Sequence, residues 1–230
     1  MKHEELNIPN KLGRCILGDG KGASFRVWIA AKGIHGSHCK VDELQHDYIA
    51  ELSGLNSKQA VSYHIDKLLE WNWIGTDGER YFFRPVKYLK QVYGVSDKAN
   101  NYKIDIKKEL KDIKAVLFFM SVKAVIAYRR FVESTNGDHQ QADANGYTLQ
   151  YYKTNDLSVR LLSKLIGITQ NMVHRLKHYA EKLGYITIRK NVRPVLNWER
   201  SYLFDNYYDH LFKQNEIIKL RMTDTIKTYV

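Results

Sequence analysis

The most reactive side chains in the sequence fall into a few small groups. His35, His38 and Cys39, with His46 further on, form the one cluster of metal-like composition. A structural zinc ion takes four ligands, commonly in paired spacings. Only one tight pair is present, so this stretch reads as a turn rich in polar residues. His174 and His178 stand one helical turn apart and would share a face. No third ligand accompanies them, and a polar contact surface is the simpler account. Tyr151-Tyr152 and Tyr207-Tyr208 set phenols side by side. The metal-binding histidine motif that would accompany a paired tyrosine nucleophile is missing. Gly18-Asp19-Gly20-Lys21-Gly22 has the glycines of a phosphate loop but not the P-loop order. No Gly-x-Ser-x-Gly, His-Glu-x-x-His or dinucleotide fingerprint occurs. Scattered acids between Glu133 and Asp143 do not by themselves make a nuclease site. The sequence therefore assigns no catalytic residue, no metal and no cofactor, and the expectation is a protein that is not an enzyme.

The other chemistry the sequence offers is hydrogen bonding and charge neutralisation. Gln170, Asn171, His174, Arg175, Lys177 and His178 lie on one side of a helix beginning near Gln170. The opposite side carries Val173, Leu176, Ala180 and Leu183, at helical spacing. Behind Gly184, Tyr185 to Ile188 alternates like a strand. Arg189, Lys190, Asn191 and Arg193 then make a basic turn before Pro194-Val195-Leu196 returns. Gln and Asn match the edge of adenine and Arg that of guanine. A basic turn holds phosphates.

Those side chains need elements to position them. A short amphipathic helix runs from Leu157 to Ile166. Asn155 or Asp156 can cap its start, and Gly167 supplies the left-handed exit. The same order occurs earlier in the chain. Helices are predicted over Phe25–Ile34, Asp42–Ser53 and Ser57–Trp71, with a short strand at Cys39–Val41. A hairpin follows at 73–84, whose Asp77-Gly78 is a type I′ signal. Val61 matches Val173, Trp71 matches Leu183 and Ile74 matches Ile186, each at an offset of 112 (173 − 61). Residues 1–23 read as an arm, with an added strand expected at Leu12–Leu17. Residues 89–103 read as a polar linker, and Ile104–Glu133 as a long helix. Residues 134–145 read as a loop, Tyr147–Tyr152 as a short strand, and 199–230 as a helical tail. The fold class expected is mainly α with small β-hairpins (α+β). Its domains are 24–88 and 104–198.

Helix, tight turn, helix and basic hairpin resemble a winged helix-turn-helix. Gly54 to Leu68 looks like the turn and recognition helix of many bacterial and phage regulators. Two such units in a basic chain of this size resemble plasmid and phage replication initiators. In that family one unit mainly dimerises and the other reads repeated DNA sites. The resemblance implies double-stranded DNA as partner, a homodimer, and contacts with replication or transcription proteins.

Charge follows the same division. The chain of 230 residues carries 36 Lys+Arg against 25 Asp+Glu, net +11, which points to a polyanionic partner. Ser24–Tyr88 is neutral, with 8 of each sign; Tyr147–Arg200 is +7 and Leu89–Arg130 is +6. The first hairpin tip, Asp77-Gly78-Glu79, would repel a phosphate. The polar face of the first candidate helix is Ser57, Lys58, Gln59, Ser62 and Tyr63, a weaker second DNA-binding face and a better protein contact. Two cysteines indicate no disulfide framework and fit a reducing, cytoplasmic setting. The N-terminus lacks the apolar core of a signal peptide, and the apolar run Ala115–Ala127 is too short to span a membrane. Two classes stand: a sequence-specific DNA-binding protein, or a replisome-loading or other protein-interaction adaptor that touches DNA weakly.

Overall fold

The structure is a computed structural model that describes residues 1–96, 100–136, 157–194, 211–214, 217–221 and 224–228. It is an α+β fold of helices with small antiparallel sheets. The elements begin with β1 (Glu5–Pro9), α1 (Asn10–Gly18), α2 (Gly22–His35), β2 (His38–Lys40), α3 (His46–Ser53), α4 (Lys58–Glu70), β3 (Ile74–Thr76) and β4 (Arg80–Phe83). They continue with α5 (Val86–Val92), β5 (Asn101–Asp105), α6 (Ile106–Glu109), a 3₁₀ turn (Leu110–Asp112) and α7 (Ile113–Asn136). The last are α8 (Val159–Ile166), α9 (Gln170–Lys182), β6 (Ile186–Arg189), β7 (Val192–Pro194), β8 (Leu211–Gln214), β9 (Ile217–Arg221) and β10 (Thr225–Thr228).

The centre is α7. Every residue from Ala115 to Val122 is buried. A helix with no polar face must be covered all round. Ser121, the one polar side chain in that run, donates its hydroxyl proton to Leu117 O at 2.6 Å. The covering comes from α1, α2, α8, α9 and β10. Residues 1–23 are therefore not an arm. β1 pairs with β5, Leu6 opposite Ile104 and Ile8 opposite Tyr102. In α1, Leu12 and Ile16 are wholly buried. Each such side chain contributes about 1.5–3 kcal/mol of burial, so α1 is part of the core. The strand expected at Leu12–Leu17 is helical because its apolar residues recur every four positions against one neighbour. The linker is also corrected: it holds α5, anchored by buried Leu89, and β5. The long helix begins at Ile113, because residues 101–105 are drawn into the β1 ladder.

Between α1 and α2, Lys21 closes the turn. Its ammonium lies 4.8 Å from the Trp71 ring centre and 5.4 Å from that of Tyr93, and pairs with Asp19 at 3.1 Å. The glycine-rich stretch is thus a structural corner.

The 112-residue offset holds in the backbone. Both α4 and α9 span 13 residues, from 58 to 70 and from 170 to 182. Ser57 caps the first by accepting from Ala60 N, and Thr169 caps the second by accepting from Met172 N. Asn72 and Gly184 follow them in the left-handed region, at φ 55° and 79°. Trp73 N then donates to Leu68 O, and Tyr185 N to Ala180 O. The preceding α3 and α8 both exit through left-handed glycines, Gly54 and Gly167. Ser158, not Asn155 or Asp156, caps α8.

Three local expectations change. The turn at Asp77-Gly78 is not type I′, because Gly78 alone takes a positive φ. Asp77 Oδ1 accepts from Glu79 N and Arg80 N instead. The basic stretch 189–193 does not turn a hairpin: β6 pairs with β10 and β7 with β9. The tail is not helical where described, since Leu211–Gln214, Ile217–Arg221 and Thr225–Thr228 are strands. The expected strand at Tyr147–Tyr152 lies outside the described residues.

Two predictions come from this packing. A Cβ on Gly18 would sit 2.4 Å from Ile166 O, and a Cβ on Gly167 would sit 3.8 Å from Gly18 Cα. Gly18→Ala forces α1 and α8 apart, costing ~1–3 kcal/mol in a urea unfolding curve; an unchanged midpoint would contradict the contact. The second concerns His64, which is hydrogen-bonded to Ser24 Oγ at 2.9 Å, and His35. Burial, then a neighbouring cation (Arg26 and Lys2 respectively), holds both below the usual imidazole value. The unfolded chain takes up these protons below about pH 6.5. Stability is therefore full above that pH and is lost as pH falls below it through the lowered folded values. Thermal melts at pH 7.5 and 5.5 should differ, and less so in His64→Gln.

Candidate nucleic-acid interface

The polar face of α9 rests on its apolar face. Val173, Leu176 and Ala180 are buried against α7 and α8. That orientation turns Gln170, Asn171, His174, Arg175 and His178 outward, and all five are exposed. Leu183, expected inside, is 38% exposed because it caps the helix beyond the core. The His174 and His178 rings meet edge to face at 4.7 Å. Glu181, the one acid of this helix, stands at the His178 end of that face: its Oε1 accepts from Ile188 N at 3.2 Å, and Oε2 lies 3.5 Å from His178 Nδ1.

Lys177 does not belong to that face. It is 3% exposed, and its ammonium donates to Asp224 Oδ2 at 2.5 Å. Helical spacing puts it with Arg175 and His178, but Asp224, just before β10, meets that side and supplies the counterion. Backbone bonds reinforce the attachment, since Leu157 N donates to Asp224 O at 3.2 Å.

Beyond the helix, Arg189 and Lys190 are exposed. Asn191 is half-buried and donates its amide to Thr225 Oγ1 at 2.7 Å, so it ties β6 to β10 rather than facing outward. Arg193 stands opposite Leu220 in the β7–β9 ladder; its side chain lies outside the described residues. The ladder 186–189 with 225–228 and the ladder 192–194 with 219–221 run in the same sense. Residues 190–191 thus interrupt one long strand instead of forming a tip.

The equivalent face on α4 is arranged differently. Ser57 spends its hydroxyl on capping. Lys58 pairs with Asp47 at 2.8 Å. The Ser62 hydroxyl donates back to Lys58 O. Gln59 and Tyr63 remain outward, Tyr63 at 58%. Asp77 and Glu79 at the hairpin end are exposed.

The cluster that looked metal-like is dispersed. His35 stacks on Phe83, His38 bonds Ser37, and His46 bonds Leu44 O. Burial, then the Glu43 charge, pushes the Cys39 thiol up to about 11. Among the described residues no three His, Cys, Asp or Glu side chains converge on a common point. No helix among them is long and apolar enough to cross a membrane.

A polar network that sequence reading missed positions the end of α9. Glu109 accepts from Tyr102 OH at 2.5 Å and from Asp105 N at 2.8 Å, and it also bonds Tyr185. Burial first, and the Glu109 charge and hydrogen bonds after it, hold both phenols above their ordinary value. They stay protonated and donate. Phe119 of α7 lies between the two rings, 5.1 and 5.6 Å from them. The helix–strand junction at Tyr185 is thereby pinned to β5. Only the Tyr-rich composition could have hinted at it.

No protein-family model, curated protein or solved structure matches the chain.

The buried ion pair generates a prediction. Lys177→Ala leaves Asp224 buried without its counterion, and its Oδ1 already accepts no hydrogen bond. The loss should be ~3–5 kcal/mol. Lys177→Met with Asp224→Leu should recover most of it in urea unfolding. Equal losses in the single and double variants would mean the two groups are not coupled.

Proposed function

We propose that the chain is a non-enzymatic, sequence-specific double-stranded DNA-binding protein made of two winged helix-turn-helix units in tandem. Its role is that of a replication initiator or transcription regulator of a plasmid or phage, acting in the cytoplasm. In this reading α9 enters the major groove, with Gln170, Asn171 and Arg175 toward base edges. Arg189 and Lys190 hold phosphates. The first unit supplies dimer or protein contacts.

One observation carries the reading: the contrast between two equivalent helices. α4 and α9 share length, cap and left-handed exit. Yet α9 keeps Arg175 outward with no ion pair among the described residues, and its only carboxylate, Glu181, is shared between the β6 backbone and His178. α4 neutralises Lys58 with Asp47 and is followed by an acidic turn. A backbone repeat with only one copy kept positive suits a division between holding DNA and holding protein.

The adaptor reading has its own support in the first unit. Tyr63 on α4 is 58% exposed and Phe82 on β4 is 38% exposed. Aromatics of this kind are enriched where proteins meet.

Salt dependence separates the two. Duplex affinity should fall with a log–log slope of about −4 to −8, for roughly 5 to 9 phosphates neutralised. Arg175→Ala should cost ~1–3 kcal/mol on the preferred site and relax its sequence preference. Lys190→Ala should weaken all duplexes about equally and flatten the slope. A flat salt dependence, or no gel shift at low salt, leaves the adaptor reading in place.

A further inference from the structure

A line of cations lies between the two candidate helices. Lys111 of the 3₁₀ turn and Lys114 of α7 are one turn apart, and both are exposed. Across from them, Gly22 and Arg26 are one turn apart on α2. A Cβ on Gly22 would sit 3.9 Å from Lys114 Cγ. A Cβ on Gly54 would sit 3.3 Å from Lys111 Cγ and 3.9 Å from Arg26 Nη1. Lys114, Lys111 and Arg26 therefore line one seam between α2 and the start of α7. The seam ends at the left-handed turn that joins α3 to α4. The residue after Lys111 ties it to the other unit, because Tyr179 of α9 donates its hydroxyl proton to Asp112 Oδ1. Arg175 stands one turn before Tyr179 on the same side of the helix.

These cations lack counterions. Arg26, Lys111, Lys114 and Arg175 form no ion pair among the described residues. The carboxylates nearest in sequence are Glu51, one turn before Gly54, and Asp112, and neither pairs with them. Arg26 is half-buried, its Nε finds no acceptor, and burial holds its guanidinium below the ordinary value. A charge half withdrawn from water and left unpaired costs free energy that an arriving anion offsets. The guanidinium fork suits the oxygens of a phosphate. Three cations spread along a seam, with Arg175 beyond Asp112, suit a chain of anions rather than a single ion. We propose that the seam holds the sugar-phosphate backbone of the duplex whose groove receives α9, so that one DNA segment crosses from the second unit to the α3–α4 turn of the first. Arg26 and Lys111 hold phosphate at that turn, and Lys114 holds it further along. The inference rests on the duplex reading of α9 and adds the path of the DNA. It gives the first unit a hold on the backbone even though Lys58 on α4 is neutralised by Asp47.

The test uses the full chain and a labelled mixed-sequence duplex of about three helical turns, with anisotropy titrations at a series of salt concentrations. Lys111→Ala, Lys114→Ala and Arg26→Gln should each make the log–log slope shallower by about 1, with unchanged circular dichroism. Arg26→Lys keeps the charge and should keep the slope. Lys11→Ala removes an exposed lysine at the start of α1, away from the seam, and should leave the slope as it is. Weakened binding in Arg175→Ala, with all three seam variants behaving as the parent chain, overturns the seam and spares the α9 reading. Shallower slopes in the seam variants, with Arg175→Ala and Lys190→Ala silent, support the seam as a backbone contact and overturn α9 as the reader. A slope that falls as much in Lys11→Ala as in the seam variants reports net charge alone and overturns the proposal. No anisotropy change at low salt overturns it together with the α9 reading.

Discussion

The rest of the structure depends on the first half of α7 having no face that water can wet. From Ala115 to Val122 each side chain is enclosed, so chain must be found to surround it. Local neighbours cannot do this alone. The N-terminal residues supply α1 on one side, held in place by the β1–β5 ladder across nearly one hundred positions of sequence. α2 supplies another side, and α8, α9 and β10 the remainder. The two halves of the chain therefore share one continuous core. The backbone approach of Gly18 to Ile166 and Gly167 marks how tightly the second half is pressed onto the first.

Within that core the same backbone pattern is used twice and given different surfaces. Caps, helix lengths and left-handed exits coincide at the 112-residue offset, since these features depend on a few residues each. The polar groups depart. Among the described residues of the second half, acids are engaged: Asp224 with Lys177, Glu181 with the β6 backbone and His178, Glu109 with two tyrosines and a backbone amide. In the first half, Asp47, Asp77 and Glu79 stay outside, and the surface is balanced. The proposed division of labour rests on this sorting of carboxylates.

The candidate surface was partly legible. The exposure of Gln170, Asn171, His174, Arg175 and His178 followed from helical period alone. Helical period misplaces Lys177 because its position sits at the edge of the apolar stripe, and Asp224, 47 residues further on, decides whether that edge is wet. Ser57 was counted as a contact residue but is a cap, a role that its place before an apolar-periodic run also allows.

By itself the sequence determined what is short-ranged: the two matched helix pairs, their left-handed glycine exits, the first hairpin, and the bias of positive charge toward the second half. These depend on side-chain period, capping groups and composition, which act over a handful of residues. Tertiary structure decided what those elements meet. It made residues 10–18 a buried helix and turned residues around 189–193 from an expected tip into a strand interrupted between two ladders. It placed 211–228 in strands where an apolar stripe suggested helix. In each case the deciding partner is distant in sequence: α7 for α1, β9 and β10 for the basic stretch, β6 and β7 for the tail. A strand or helix whose local preferences are weak takes the form that its long-range partner can bury and hydrogen-bond.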